Sequence, residues 1–278
     1  MKRLGLKIGI IGVGHLGEAL LAGFIRKNIF RPGQIGVSSR NPHHLASLKR
    51  KYKTRTFSSN RELVRSTSCI LLSVRPTQMR ELLLEIGGEI RHSHLVISVA
   101  AGLNTSFYRR FLPRKTRLIR VMPNTPVVVG EGAAVLYATA QASGRDRRYA
   151  KKIFSSVAKT SFVSQEELLD PVTALVGCGP AFVYLFLLVL AQAGKAQGLP
   201  EVMAQRLAIQ TLLGAGRLAQ LSTLSPGQLI AQVASKGGTT EAGLKVLAKG
   251  GFVKLIRQTI AASTRRAREL SKEAACTS

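Results

Sequence analysis

Residues 6–17 read LKIGIIGVGHLG, an apolar run that passes directly into closely spaced glycines. The branched apolar residues of Leu6–Ile11 predict a buried strand, and apolar residues at helical spacing follow the glycines. The intervening residues match the pattern GxGxxG, with Gly12, Gly14 and Gly17 as its glycines and His15 and Leu16 between them. In this strand-turn-helix context the pattern predicts a dinucleotide-binding turn that His15 and Leu16 help to line. A tight turn without a ligand is the alternative.

Strand-like and helix-like segments alternate through the first half of the chain. Apolar runs predict strands at Ile35–Ser38, Cys69–Val74, Leu95–Val99 and Leu118–Val121, and helices are predicted between them, at Pro42–Lys51 and Thr77–Ile86 among others. Strands that alternate with helices predict an α/β fold with a doubly wound parallel sheet of the Rossmann type.

The pattern changes after about residue 163. Glu166–Leu199 and Pro200–Leu221 carry long helical periodicities, and a glycine-rich loop is predicted at Lys236–Thr240. We therefore predict a dinucleotide-binding domain over residues 1–163 and an all-helical domain over 164–278.

The end of the second predicted strand suggests which dinucleotide is bound. An NAD site commonly places an acid about twenty residues after the glycines to hold the ribose hydroxyls. This chain has Ser38, Ser39 and Arg40 there instead. Hydroxyls and a guanidinium suit a 2′-phosphate, which predicts NADP (NADPH) as cofactor, with NAD as the second choice. An ordinary capped turn remains the alternative.

Val74, Arg75 and Pro76 follow another predicted strand, where the crevice of a parallel sheet opens. A cation there could hold phosphate or ribose. Pro76 also suits the first position of a helix, so a purely structural role is open.

Composition narrows the remaining possibilities. The net charge of +27 is spread along the chain, which lacks Trp and any evident nucleic-acid motif, so nucleic-acid recognition is disfavoured. The three cysteines have no ligand spacing, which predicts neither a disulfide framework nor a metal site and favours a cytoplasmic setting. The uncharged segment Ala174–Ala191 is interrupted by glycines and a proline, and we interpret it as a core or interface helix rather than a membrane span.

Several segments together resemble the pyrroline-5-carboxylate reductase family. They occur in the family's order, from the glycine turn at residue 9 to the last motif at residue 240, and are GIIGVG (9–14), MPNTP (122–126), GCGPAF (177–182), PGQL (226–229) and GGTT (237–240). The resemblance implies NAD(P)H-dependent hydride transfer to the imine carbon of 1-pyrroline-5-carboxylate, giving L-proline. It also implies a helical dimerisation domain, and a homodimer or a larger ring of dimers.

The resemblance further implies site residues. Ser39 and Asn60 would bind the adenosine end of the cofactor. The remaining cofactor contacts would come from Val74, Arg75, Ala101 and Asn124 of the MPNTP motif. The loop from Ser235 to Thr240 would bind the anionic imine through Gly237, Gly238 and Thr239, with Thr240 and Ser235 as the catalytic hydroxyls.

The chain also departs from the family pattern. Cys178 stands where serine is usual, Lys236 where proline is usual, and Arg75 replaces a lysine. These differences leave two alternatives: a reductase of another cyclic imine or oxo acid, and a non-catalytic dinucleotide-binding paralogue with a regulatory role.

Overall fold

The computed structural model describes residues 7–276 and contains one eight-stranded sheet. The strands are β1 (Ile8–Ile11), β2 (Ile35–Ser38), β3 (Arg55–Phe57), β4 (Cys69–Leu72), β5 (Leu95–Ser98), β6 (Arg117–Pro123), β7 (Gly132–Ala138) and β8 (Ala158–Phe162). Their order is β3-β2-β1-β4-β5-β6-β7-β8, and every neighbouring pair is parallel except β6 with β7. Strands β1 to β3 extend the sheet in one direction, and β4 and the strands after it extend it in the other, so the order reverses between β1 and β4. At such a point the carboxyl ends of the strands open a crevice for a ligand.

Helices lie between the strands in sequence and make up most of the described chain after β8. They are α1 (His15–Arg26), α2 (Pro42–Tyr52), α3 (Asn60–Arg65), α4 (Pro76–Ile86), α5 (Thr105–Arg109), α6 (Gly144–Phe154), α7 (Leu169–Val172), α8 (Gly179–Ala196), α9 (Glu201–Leu221), α10 (Pro226–Val233), α11 (Thr239–Lys249) and α12 (Phe252–Cys276). Short 3-10 turns occur at Pro32–Gln34, Gly87–Glu89, Thr125–Val128 and Glu166–Leu168, and a π-helical turn at Thr173–Gly177.

The core lies on both faces of the sheet. Successive residues of β1 point to opposite sides, so Ile10 belongs to one buried apolar cluster and Ile11 to another. Strands β1, β2, β4 and β5 are buried along their whole length, as expected for a parallel sheet covered by helices on both faces. The predicted Rossmann-type architecture is confirmed.

The sequence predicted five of the eight strands. The described part of the first predicted strand begins at Ile8, since Leu6 lies outside the described residues. The prediction was wrong to omit β3, β7 and β8. It was also wrong to place all of Lys236–Thr240 in a loop, because Thr239 and Thr240 form the first turn of α11.

The second half of the chain is helical, as predicted, and its helices expose much apolar surface. Helix α8 has 18 residues, of which Ala191 is the one that is buried, while Tyr184 and Leu185 are each 59% exposed. By length and composition, Glu166–Ala196 is a candidate membrane span, and 6% of its most apolar window is buried. An apolar helix this exposed in a single chain also suits an interface between copies of the chain.

Packing divides the described chain into two compact units. One contains the residues up to Cys178 together with those from Ala262 onward, and the other is Gly179–Ala261. The domain boundary at residues 163 and 164 stays a prediction.

Candidate active site

The glycine turn between β1 and α1 has a conformation that requires glycine. Gly12 has φ of 87°, and a Cβ added there would lie 2.5 Å from Cγ1 and 2.7 Å from the backbone N of Val74. A Cβ at Gly17 would lie 2.5 Å from the carbonyl oxygen of Gly12. Both glycines therefore allow the turn to pack closely against its surroundings.

Gly14 serves a different purpose in the same turn. It is the N-cap of α1 and provides no side-chain cap, and a Cβ built there would meet nothing within 4 Å. The space beside Gly14 is therefore open, and no N-cap side chain occupies the start of α1. A helix N-terminus of this kind binds phosphate through its N–H groups and its dipole.

This turn forms one wall of a cleft of about 470 Å³ in the sheet-containing unit. Eight of the predicted cofactor residues line it: Gly12, Gly14, His15, Ser38, Ser39, Arg40, Asn60 and Val74. The cleft brings together segments that are distant in sequence, from Ile11 to Glu85, at the reversal of strand order. Its open volume and phosphate-binding turn suit an extended dinucleotide.

The other six predicted cofactor residues do not line this cleft in the described part of the chain. They are Leu16, Gly17, Arg75, Pro76, Ala101 and Asn124. Leu16 packs against the core, and Arg75 and Pro76 are the N-cap and first residue of α4. Asn124 accepts a hydrogen bond from the N–H of Ala133 at 2.8 Å, which ties the end of β6 to β7. Apart from Ala101, these positions have packing or backbone roles in the structure.

Side-chain hydrogen bonds link Ser38 to Asn60 and Asn60 to Glu85 in the lining of the cleft. The Ser38 hydroxyl donates to Oδ1 of Asn60 at 2.8 Å, and Nδ2 of Asn60 donates to Glu85 at 2.8 Å. These two hydrogen bonds fix the orientation of the Asn60 amide. The sequence analysis missed Glu85.

Glu85 belongs to one face of α4 that lines the cleft and that the sequence analysis did not find. Gln78, Glu81, Leu82 and Glu85 all line the cleft from α4. Their spacing of i, i+3, i+4 and i+7 places them on one face of the helix, and this spacing could have revealed them. The acid that an NAD site commonly has after β2 is absent, but two acids of α4, Glu81 and Glu85, line the same cleft.

Further hydrogen bonds link polar groups beside the glycine turn. The ring nitrogen Nε2 of His44 lies 2.7 Å from the carbonyl oxygen of Val13. Glu18 accepts hydrogen bonds from the ammonium of Lys51 at 2.8 Å and from the hydroxyl of Tyr52 at 2.9 Å. The bond from Lys51 is the main reason that the pKa of the Glu18 carboxyl is lowered. Glu18 therefore remains an anion near neutral pH.

The predicted substrate loop lies in the helical unit, between α10 and α11. Gly237 has φ of 75°, and the N–H of Gly238 donates to the carbonyl of Ser235 at 3.0 Å. Gly238 is the N-cap of α11 without a side-chain cap, and Thr239 and Thr240 are its first residues. This turn presents backbone N–H groups, a helix N-terminus and two hydroxyls, which together suit a carboxylate ligand.

Glu241 contacts this turn and was also missed by the sequence analysis. Its carboxylate accepts a hydrogen bond from the N–H of Gly237 at 2.6 Å and lies 3.1 Å from the ammonium of Lys245. The bond from Gly237 is the main reason that the pKa of Glu241 is lowered. The N–H of Gly237 is thus occupied by a carboxylate of the chain itself.

These features define a class of protein: a dinucleotide-dependent oxidoreductase with a Rossmann-type sheet and a helical second half. Residues 7–102 match the family model described as NADP oxidoreductase, coenzyme F420-dependent, and residues 166–270 match the one described as pyrroline-5-carboxylate reductase dimerisation. The chain belongs to the pyrroline-5-carboxylate reductase family.

Relatives and solved structures are similar to this chain over nearly its whole length. The pyrroline-5-carboxylate reductase of Pisum sativum is 36% identical over 95% of this chain and 96% of its own. The structure of a pyrroline-5-carboxylate reductase from Coxiella burnetii has a TM-score of 0.91 at 33% identity and covers 96% of this chain and 99% of its own. That of the Plasmodium falciparum pyrroline carboxylate reductase with NADP bound has a TM-score of 0.86 at 30% identity, covering 96% and 98%.

Proposed function

We propose that this protein reduces 1-pyrroline-5-carboxylate to L-proline, with NADPH as the reductant. The observation that carries the proposal is the near full-length similarity to pyrroline-5-carboxylate reductases, 36% over 95% of the chain for the relative from Pisum sativum. The phosphate-binding turn and the carboxylate-binding turn described above support it. They are the two kinds of site that the reaction needs.

The cleft in the sheet-containing unit would hold the dinucleotide. The N–H groups at the start of α1 would bind its pyrophosphate, and Ser39 and Arg40 would bind the 2′-phosphate. The NADP in the Plasmodium structure supports this choice. Bound NADPH supplies a hydride, and the protein positions the acceptor for it.

The turn from Ser235 to Thr240 would hold the substrate. Backbone N–H groups at Gly237, Gly238 and Thr239 would bind its carboxylate, which would have to replace Glu241 at Gly237 and the Ser235 carbonyl at Gly238. The hydroxyls of Ser235 and Thr240 would orient the ring nitrogen. If the substrate reacts as its iminium, the nitrogen needs no proton transfer during the hydride step. Hydroxyl groups that orient the ring are then sufficient.

The assembly is proposed to be a homodimer or a larger ring of dimers in the cytoplasm. The dimerisation family model over residues 166–270 supports self-association. The exposed apolar residues of α8 provide the surface for it. The domain division at residues 163 and 164 would then separate cofactor binding from dimerisation.

Replacing Thr240 with alanine is expected to lower kcat/KM for pyrroline-5-carboxylate by about ten- to a hundredfold. The reason is that a hydrogen bond to a charged partner contributes about 1.5–3 kcal/mol. Steady-state oxidation of NADPH, with NADH in parallel, would measure this change.

Thr240→Ser is the matched control, since it keeps the hydroxyl and should retain most of the activity. Full activity in Thr240→Ala would remove Thr240 from the site. Binding of NADPH without any turnover by the unaltered protein would contradict the proposed function, and would favour another imine substrate or a non-catalytic role.

A further inference from the structure

The cation of the cofactor cleft is already paired with an acid. Nη1 of Arg40 donates to both carboxylate oxygens of Glu81, at 3.1 and 3.2 Å. Arg40 follows β2, Glu81 lies on α4, and both line the cleft beside the glycine turn. The two side chains are 66% and 72% exposed, so the pair is accessible to a ligand and can open.

A second acid increases the negative charge at this place. Glu85 lies one helical turn after Glu81, lines the same cleft and is held by the amide of Asn60. The adenosine end of the cleft thus combines one guanidinium with two carboxylates. Acids at this end suit ribose hydroxyls, which donate hydrogen bonds, whereas a phosphate dianion is repelled by them.

A 2′-phosphate that binds Arg40 has to share this guanidinium with Glu81 or displace it. The phosphate and the carboxylate are both acceptors with negative charge, so they compete for the same N–H groups. A ribose 2′-hydroxyl carries no charge and does not compete in this way. The presence of Glu81 therefore affects the two cofactors unequally.

We propose that Glu81 is a specificity-determining residue, which competes with the 2′-phosphate of NADP for Arg40 and thereby reduces the preference for NADP over NAD. The proposal rests on the proposed function for the identity of the ligand. It adds that the chain's selectivity for NADP is held below the level that Ser39 and Arg40 alone would give. NADH would consequently be a usable reductant.

Isothermal titration with NADP⁺ and NAD⁺, in the absence of imine substrate, tests this directly. Glu81→Gln keeps the shape of the side chain and removes its charge. We expect it to tighten NADP⁺ binding by about two- to fivefold and to change NAD⁺ binding by less than about 1.5-fold, since exposed ion pairs are weak and screened by salt.

Glu89→Gln is the matched control for charge. Glu89 is also paired with an arginine, Arg65, but the pair lies outside the cleft lining. This variant removes the same charge from the protein and should leave the affinity for both dinucleotides unchanged. If Glu89→Gln tightens NADP⁺ as much as Glu81→Gln does, a general charge effect replaces the proposal.

Arg40→Met tests whether the effect passes through the guanidinium. In an Arg40→Met background, Glu81→Gln should no longer tighten NADP⁺ preferentially. An equal gain in that background overturns the proposal, as does a Glu81→Gln variant with unchanged or weaker NADP⁺ binding. Because binding is read without substrate, a protein that shows the predicted shift but never reduces pyrroline-5-carboxylate would contradict the proposed function alone.

Discussion

Glu166→Ala is expected to lower the free energy of unfolding by about 3–5 kcal/mol, because it leaves a buried arginine without its counter-ion. The side chain of Arg120, on β6, is 7% exposed, and its Nη1 lies 2.7 Å from Oε1 of Glu166. The same carboxylate accepts hydrogen bonds from the N–H and the hydroxyl of Thr105, each at 2.6 Å. The substitution removes all three interactions. The midpoint of urea unfolding, compared at one protein concentration, would measure the loss.

Glu167→Ala provides the control for this experiment. Glu167 is exposed and adjacent in sequence, so its removal should change stability by no more than about 0.5 kcal/mol. If Glu166→Ala were as mild as Glu167→Ala, Arg120 would have to be solvated in solution, contrary to its burial here.

Gly12→Ala is expected to destabilise the protein by about 2–4 kcal/mol and to abolish measurable NADPH binding. The left-handed φ of 87° is costly for alanine, and the new Cβ would overlap the backbone of Val74. Relief of the overlap requires β1 or the start of α4 to move, which would distort the phosphate-binding turn. Urea unfolding and a fluorescence titration with NADPH would measure the two effects.

Gly14→Ala is the contrasting variant. Gly14 has φ of −79° and open space where the Cβ would be, so the free protein should lose no more than about 0.5 kcal/mol of stability. The methyl group would instead occupy the space that the pyrophosphate approaches. Binding of NADPH should weaken by about tenfold or more, since a hydrogen bond to a charged group contributes about 1.5–3 kcal/mol. Equal unfolding midpoints for both glycine variants would mean that the turn at Gly12 is not strained by a side chain.

The sheet could be predicted from sequence where its strands are buried on both faces. β1, β2, β4 and β5 are continuous apolar runs, and each was found within a few residues of its bounds. β7 is a largely apolar run that the sequence analysis overlooked, whereas β3 has three residues and β8 mixes polar with apolar residues. Strands of this kind take their stability from pairing with a neighbour, which leaves only a weak local signal.

The candidate site could be predicted where one short segment determines it. The glycine turn and the residues after β2 combine a strand end with a helix start, and local sequence encodes both. The acids of α4 reach the cleft only because β1 and β4 are neighbours in the sheet. Glu241 likewise acquires its contact from the helix start at Thr239, which the prediction had placed in a loop.

The grouping of the residues from Ala262 onward with those up to Cys178 has a consequence for synthesis on the ribosome. Gly102 illustrates the packing, since a Cβ there would lie 3.2 Å from Cβ of Leu270. Residues translated before Gly179 therefore share a compact unit with a segment that is translated after Ala261. At ordinary elongation rates, translation of the intervening helices takes on the order of ten seconds, during which Gly102 lacks its neighbour Leu270. The earlier segment should accordingly gain its contacts with residues 262–276 only after these have emerged from the ribosome.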